Sequence, residues 1–300
     1  MKLRILLLAC LAFATPALAQ TKDVIVATYN VQNYVGEVRD GPPSLRSKAK
    51  PPEAVAALVR IIAEIDPDIL GLCEMGGPDQ FADFQAKLRE AGLGYTASAY
   101  VEGADTVRHL ALLSRFPIVT QDSRSDVRYL LNGVEERVQR GFLDVTVQVN
   151  PDYQLRLVGA HLKSKLATPE GESLMRRHEA QLLRKHIDRI LVADPQVNLL
   201  LFGDFNDQRN EPAIQEIMGT RGTAAYLVDL PAQDAVGDRW THYWNVADVY
   251  SRLDYLFASP ALIREVSKEK TLIYRGPDWL TASDHRPVYT SIQPVNLAPR

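Results

Sequence analysis

Eight side chains in this sequence could do chemistry together: Asn30, Glu74, His161, Asp204, Asn206, Asp254, Asp284 and His285. Most stand at the end of a short apolar run. Carboxylates and amides, with no thiolate cluster and no HExxH histidine pair, suit Mg²⁺, Mn²⁺ or Ca²⁺ rather than a structural zinc. Two imidazoles among several carboxylates supply an acid and a base near neutral pH. That combination suits attack of water on a phosphate ester, with a cation neutralising oxyanion charge and an aspartate-polarised histidine taking the proton. No serine or cysteine stands out as a nucleophile.

These groups are useful only if rigid elements hold them. In Val197 to Asp207, VNLLLFGDFND, the run Leu199 to Phe202 reads as a strand buried on both faces. Gly203 ends it, and Asp204, Asn206 and Asp207 follow on a turn at its C-terminal mouth, where α/β proteins commonly place chemistry. Asp204 and Asn206 carry the site reading, and Asp207 reads as a plain turn residue. Strands over Asp23 to Asn30, Asp68 to Glu74 and Leu155 to His161 repeat the pattern, each ending in a polar side chain. Further strands are expected over Tyr95 to Tyr100, His109 to Ser114, Phe142 to Val149 and Arg252 to Phe257, with a last one through Val288 and Tyr289. Helical spacing of apolar residues predicts helices over Glu53 to Ile65, Phe81 to Ala91 and Ser173 to Val192, the last with Leu174, Leu182, Leu183, Ile187, Ile190 and Leu191 as its core stripe. His178 and His186 read as partly solvated helix residues, and His109 as a packed one. Alternating strands and helices in both halves predict two packed sheets with helices outside, an α/β architecture.

Lys2 and Arg4, the apolar run Ile5 to Phe13 and Ala17-Leu18-Ala19 match the three parts of a secretory signal peptide, so residues 1–19 are expected to be removed and residues 20–300 to form one domain. The product is expected in the periplasm or outside the cell, without stable membrane insertion and as a monomer. Cys10 would leave with the leader, and Cys73, then alone, cannot form an intrachain disulfide. The formal net charge of -3 excludes a generic polyanion binder, the more so once two positive charges leave with Lys2 and Arg4. Local basic loops remain at Arg46, Lys48 and Lys50 and at Lys163 and Lys165.

The motifs TYN at Thr28 to Asn30, Glu74, LSRFPI at Leu113 to Ile118, HLKSK at His161 to Lys165, GDFND at Gly203 to Asp207, RLDYLF at Arg252 to Phe257 and SDHRPV at Ser283 to Val288 occur in one order. In that order the chain resembles the endonuclease/exonuclease/phosphatase superfamily, the DNase I-like proteins, over nearly its whole length after the leader. The resemblance implies a four-layer α/β sandwich, two mixed β-sheets flanked by helices, and a divalent cation, Mg²⁺ first with Mn²⁺ or Ca²⁺ as alternatives. It further implies that Asn30, Glu74 and Asp284 belong to the metal site, with Glu74 the direct ligand. His285 would be the general base oriented by Asp254. Asp204 and Asn206 would hold the phosphate and the attacking or leaving oxygen, and His161 would protonate or stabilise the leaving group. Arg140, or in its place Arg137, is a phosphate-binding candidate, and Lys163 could meet a flanking phosphate.

The expectation is an exported metal-dependent phosphodiesterase that cleaves nucleic acid. A phosphatase or sphingomyelinase-like enzyme is the alternative, and a non-catalytic binding module with the same fold the third reading. Trp240, His242, Tyr243 and Trp244 precede RLDYLF in a loop that could border the cleft and stack on a base, worth ~1 to 3 kcal/mol per base, with at least one of the tryptophans expected to pack instead.

Overall fold

The computed structural model describes residues 22–37 and 48–297. Its first half contains β1 (Val24–Tyr34), α1 (Pro52–Ile65), β2 (Ile69–Met75), α2 (Pro78–Glu90), β3 (Ala97–Val101), β4 (His109–Ser114), β5 (Ile118–Gln121), β6 (Arg128–Leu131), β7 (Val134–Arg137) and β8 (Phe142–Asn150). The second half contains β9 (Tyr153–His161), α3 (Glu172–Ala193), β10 (Leu199–Asp204), α4 (Pro212–Met218), β11 (Val228–Asp229), β12 (His242–Trp244), β13 (Val249–Ser251), β14 (Asp254–Ala258), β15 (Val266–Ile273), α5 (Trp279–Ala282) and β16 (Val288–Ile292). Three helices, α1, α2 and α4, open on a proline, whose fixed φ and missing N–H suit a first helical turn.

Two six-stranded sheets form, in the orders β15-β16-β1-β2-β4-β3 and β11-β14-β10-β9-β8-β5. Each is mixed: β1 runs parallel to β2 and β9 parallel to β10, while β1–β16, β2–β4, β8–β9 and β10–β14 are antiparallel. One apolar cluster fills the space between the sheets, with Ile69, Leu112, Val145, Leu157, Leu200 and Phe202 fully or almost fully buried. A second packs α1 and α2 on the outer face of the first sheet, and a third packs α3 and α4 on the outer face of the other. The result is the four-layer α/β sandwich expected from the motifs. Each fully buried Leu, Ile or Phe contributes roughly 1.5 to 3 kcal/mol to folding.

Phe202 shows how tightly the sheets meet. A Cβ at Gly71, in the facing sheet, would lie 2.1 Å from the Phe202 ring, and one at Gly159, its cross-strand partner, 2.6 Å away. Glycine at both positions leaves room for the ring between the sheets.

Four expectations change. The first strand does not stop at Asn30 but runs to Tyr34 through a register shift, with Gln32 and Asn33 at positive φ. The face of α3 is not the plain apolar stripe its pattern suggested: Leu174 is 42% exposed, whereas Arg176, Glu179, Arg184 and His186 are buried. His186 is therefore no solvated residue; its Nε2 lies 2.7 Å from the buried carboxylate of Asp144, which also accepts two bonds from Arg156. Asp207, read as a turn residue, is buried and lies 3.2 Å from Lys165 Nζ and 3.5 Å from Arg176 Nε. His109 packs as expected, 4% exposed. No helix among the described residues is long and apolar enough to cross a membrane. The leader expected over residues 1–19, and Arg46, lie outside the described residues.

Candidate active site

Register places the first three groups. β10 pairs with β9 so that Asp204 sits opposite His161, and with β14 so that Asp204 sits opposite Asp254. One row of three adjacent strands thus presents His161, Asp204 and Asp254 at the same level, all almost fully buried. Gly203 permits it: its φ is +138°, and a Cβ there would lie 1.9 Å from the Ala160 carbonyl oxygen.

The other sheet supplies the opposite wall. Asn30 Nδ2 lies 3.0 Å from Asp204 Oδ2, 3.3 Å from Glu74 Oε1 and 3.5 Å from His285 Nε2, so this amide joins both sheets at one point. Its Oδ1 accepts the N–H of Gln32 at 2.9 Å, an Asx turn that holds the bulge in β1. Glu74 itself has φ +63°, rare for a side-chain-bearing residue, and its Oε2 accepts the N–H of Asn33 at 2.9 Å. The bulge and the left-handed Glu74 together aim its carboxylate at the cluster. Such local strain persists only where the surrounding structure enforces it.

His285 precedes β16. Ser283 Oγ donates to the Asn30 carbonyl and accepts the His285 N–H, fixing this turn on β1. His285 Nδ1 lies 2.8 Å from Asp254 Oδ2, which leaves Nε2 facing Asp204 at 3.7 Å and Asp284 at 3.9 Å. Asp254 is held in turn by Thr241, whose hydroxyl accepts the N–H groups of Leu253 and Asp254, each at 3.0 Å.

Electrostatics follow from this crowding. Burial opposes charge on His285, but Asp254 and Asp204 outweigh it and hold its pKa well above the usual imidazole range. Burial, with Asp254 adding to it, pushes Asp204 above the usual carboxylate range. His161 goes the other way: burial first, then the positive charge of Arg140, pushes its pKa far down, so it stands as a neutral imidazole. Asp284 is pushed up by burial and by the charge of Glu74. Lys50, whose Nζ donates to the Gln32 carbonyl at 3.0 Å, is pushed down to about 8 by burial, against the opposing pull of Asp284 and Glu74.

Two repelling carboxylates with hard oxygen donors, beside Lys50 and His285, form a set that a divalent cation fits. Glu74 and Asp284 are its carboxylates, and Asn30 can add the remaining lone pair of Oδ1.

Arg140 is 8% exposed and pairs with Asp105 at 3.1 Å, while its Nε and Nη1 have no hydrogen-bond partner among the described residues. Arg137 instead lies on the surface, bonded to Asp126. Asn206, at φ +52°, donates from Nδ2 to the Leu162 carbonyl at 3.1 Å and from its N–H to Asp204 Oδ1 at 2.9 Å. The Lys163 ammonium donates to Ser164 and to the Leu166 carbonyl of its own loop.

Sequence reasoning missed several participants. Arg108 donates from Nε to Asn33 Oδ1 at 2.6 Å and lies near enough to lower the His161 pKa. His242, noted only as part of an aromatic loop, lies with its ring centroid 4.6 Å from that of His285, the two rings tilted at 47°. Trp240 packs against Trp279 and Tyr250, with the Arg286 guanidinium 3.4 Å over its ring, whereas Trp244 is 53% exposed. Trp240 is thus the tryptophan that packs, as one of the two was expected to, whereas Arg108 and His242 stand in no motif and only three-dimensional adjacency singles them out.

Residues 27–285 match the sequence model of the Endonuclease/Exonuclease/phosphatase family, and the chain belongs to that family. Among solved structures it is similar to the endonuclease/exonuclease/phosphatase from Bacteroides vulgatus (16% identity, 92% of this chain and 100% of that one, TM-score 0.64). It is also similar to the human Nocturnin catalytic domain with bound sulfate anion (18% identity, 90% and 93%, TM-score 0.62) and to truncated Caenorhabditis elegans TDP2 (17% identity, 90% and 97%, TM-score 0.60). These likenesses show a shared fold. No curated protein sequence matches the chain.

Proposed function

We propose that this chain is an exported, monomeric, metal-dependent phosphodiesterase that cleaves nucleic acid by water attack. The observation that carries the reading is the Asp254–His285 pair at 2.8 Å, level with Asp204 on the adjacent strand and closed from the other sheet by Asn30 and Glu74. A hard divalent cation held by Glu74, Asp284 and Asn30, Mg²⁺ first, would neutralise charge on the phosphate. Asp254 fixes the His285 tautomer so that Nε2 faces the site, and a cation beside Asp284 would oppose the carboxylates that raise the His285 pKa, freeing Nε2 to accept the proton of water. Asp204 and Asn206 position the phosphate and the reacting oxygen. His161, held neutral, stabilises the leaving oxygen by an N–H bond rather than by delivering a full proton. The two unpartnered nitrogens of Arg140 supply donors for phosphate oxygens.

Trp244 and Tyr250, about half exposed on the β12–β13 hairpin beside His242, offer faces for base stacking. The same hairpin exposes Val246 (81%) and Val249 (43%), which favours a second reading, a phosphodiesterase acting on lipid headgroups. Initial rates on DNA, RNA, phosphomonoesters and sphingomyelin vesicles, with Mg²⁺, separate the two. Turnover of nucleic acid supports the first reading, and turnover confined to vesicles replaces it with the second. Export is tested by N-terminal sequencing of the protein recovered from a bacterial periplasm, where an intact Met1 would contradict cleavage after Ala19.

A further inference from the structure

We propose that His242, Asp284 and His285 form a second, overlapping and inhibitory site for a borderline transition ion such as Zn²⁺. The proposal deepens the reading of His285 as the base and rests on it for its inhibitory effect. The donor atoms of the three residues lie within 4.8 Å of one another, with His242 Nε2 and His285 Nε2 each 3.9 Å from an Asp284 carboxylate oxygen. Zinc–nitrogen bonds of about 2.0 to 2.1 Å in a tetrahedron put donors roughly 3.4 Å apart, so each histidine need approach Asp284 by only about 0.5 Å and no pair of donors must close by more than about 1.4 Å.

The backbone holds the two histidines for this. His242 and His285 face each other in an antiparallel bridge, Tyr243 N donates to the Asp284 carbonyl at 2.9 Å, and Arg286 N donates to the Thr241 carbonyl at 2.6 Å. Asp254 on His285 Nδ1 is the carboxylate–histidine arrangement that orients metal-binding imidazoles, and it leaves Nε2 toward Asp284. The His242 and Asp284 side chains are 19% and 34% exposed, which gives an ion a route in. Two imidazoles and one carboxylate are the donors of an open zinc site, with the fourth position left to water, whereas the all-oxygen set around Glu74 suits a hard ion. An ion on His285 Nε2 occupies the lone pair that the base needs. Because Asp284 belongs to both sets, the two ions also compete.

The test is calorimetric titration of ZnCl₂ into Mg²⁺-saturated protein, beside the Zn²⁺ dependence of phosphodiester hydrolysis, for wild type, His242→Ala and His242→Gln. Wild type should bind one Zn²⁺ and lose its activity over the same concentration range. Both variants should bind Zn²⁺ at least about tenfold more weakly, and each, relative to its own zinc-free rate, should need about tenfold more Zn²⁺ for half-inhibition. Unchanged Zn²⁺ affinity in a variant whose circular dichroism matches wild type would overturn the site. Equal half-inhibition would show that Zn²⁺ acts at the hard-cation set and would overturn the inhibitory role. If wild type hydrolyses no phosphate ester, the proposed function fails, and the calorimetry still decides whether the site exists.

Discussion

At Gly203 the chain must pass so close to Ala160 that no side chain fits, and the next residue is the one that both sheets address. Gly203→Ala would either part β9 from β10 or shift Asp204 from its level. The expected cost is at least the ~1 to 3 kcal/mol of overpacking, measured as a lower urea midpoint, with activity falling further than stability. Arg140 makes a different demand. Its free nitrogens lie on a planar fork that lysine cannot copy, so Arg140→Lys should raise KM and lower kcat/KM while Arg137→Ala leaves both unchanged. An Arg137→Ala effect as large as that of Arg140→Lys would reverse the assignment. Asp234 is the residue with the clearest pH signature. Burial pushes its pKa up, but hydrogen bonds from Arg286 and Arg275 outweigh that and hold it well below the usual carboxylate range. A depressed folded-state pKa stabilises the fold above the unfolded value near 4 and loses that contribution as pH falls through the folded one. Asp234→Asn should therefore flatten the loss of stability below pH 4. At neutral pH, Asp234→Ala should cost about 3 to 5 kcal/mol, since it leaves the fully buried Arg286 without its carboxylate. Urea midpoints between pH 2 and pH 7 check both.

At the scale of elements, α3 does more than cover the sheet. Glu179, fully buried, accepts the N–H of Lys163 at 2.6 Å and that of Gln139 at 3.2 Å, and so ties the turn after His161 to the residue before Arg140. One turn earlier, Arg176 donates to the Lys163 carbonyl at 3.1 Å. Glu179→Ala orphans two backbone donors, at about 1 to 3 kcal/mol each, and should lower the rate beyond what the loss of folded protein explains; thermal melts paired with rates per folded molecule check it. The sequence shows this helix clearly but hides its polar face, because Arg176 and Glu179 look like surface residues until the loops they hold are known. Strands were legible wherever an apolar run ended in a polar residue, as at His161 and Asp204. They were illegible where pairing rather than pattern makes them: β15, reading VSKEKTLI, carries three exposed charged residues, and β12 and β13 have three residues each. The bulge after Asn30 was invisible because positive φ at Gln32 and Asn33 is imposed by Glu74 and Arg108, far away in sequence.

For the whole molecule, two sheets converge at one edge, each bringing half of a site that neither could build alone. The site residues were legible as a set because each ends or borders a strand. Their partnership was legible only through the family's motif order, since nothing local pairs Asp254 with His285. The central claim is that this convergence makes a metal-dependent phosphodiesterase with His285 as its base. The most direct measurement is the hydrolysis rate of bis-p-nitrophenyl phosphate by wild type and His285→Ala in Mg²⁺, with EDTA as control and circular dichroism to establish folding. The account predicts turnover by wild type, its loss in EDTA, and a fall of about 10² to 10⁴ in folded His285→Ala. A wild-type rate indifferent to EDTA, or a His285→Ala rate within a few fold of wild type, would contradict it.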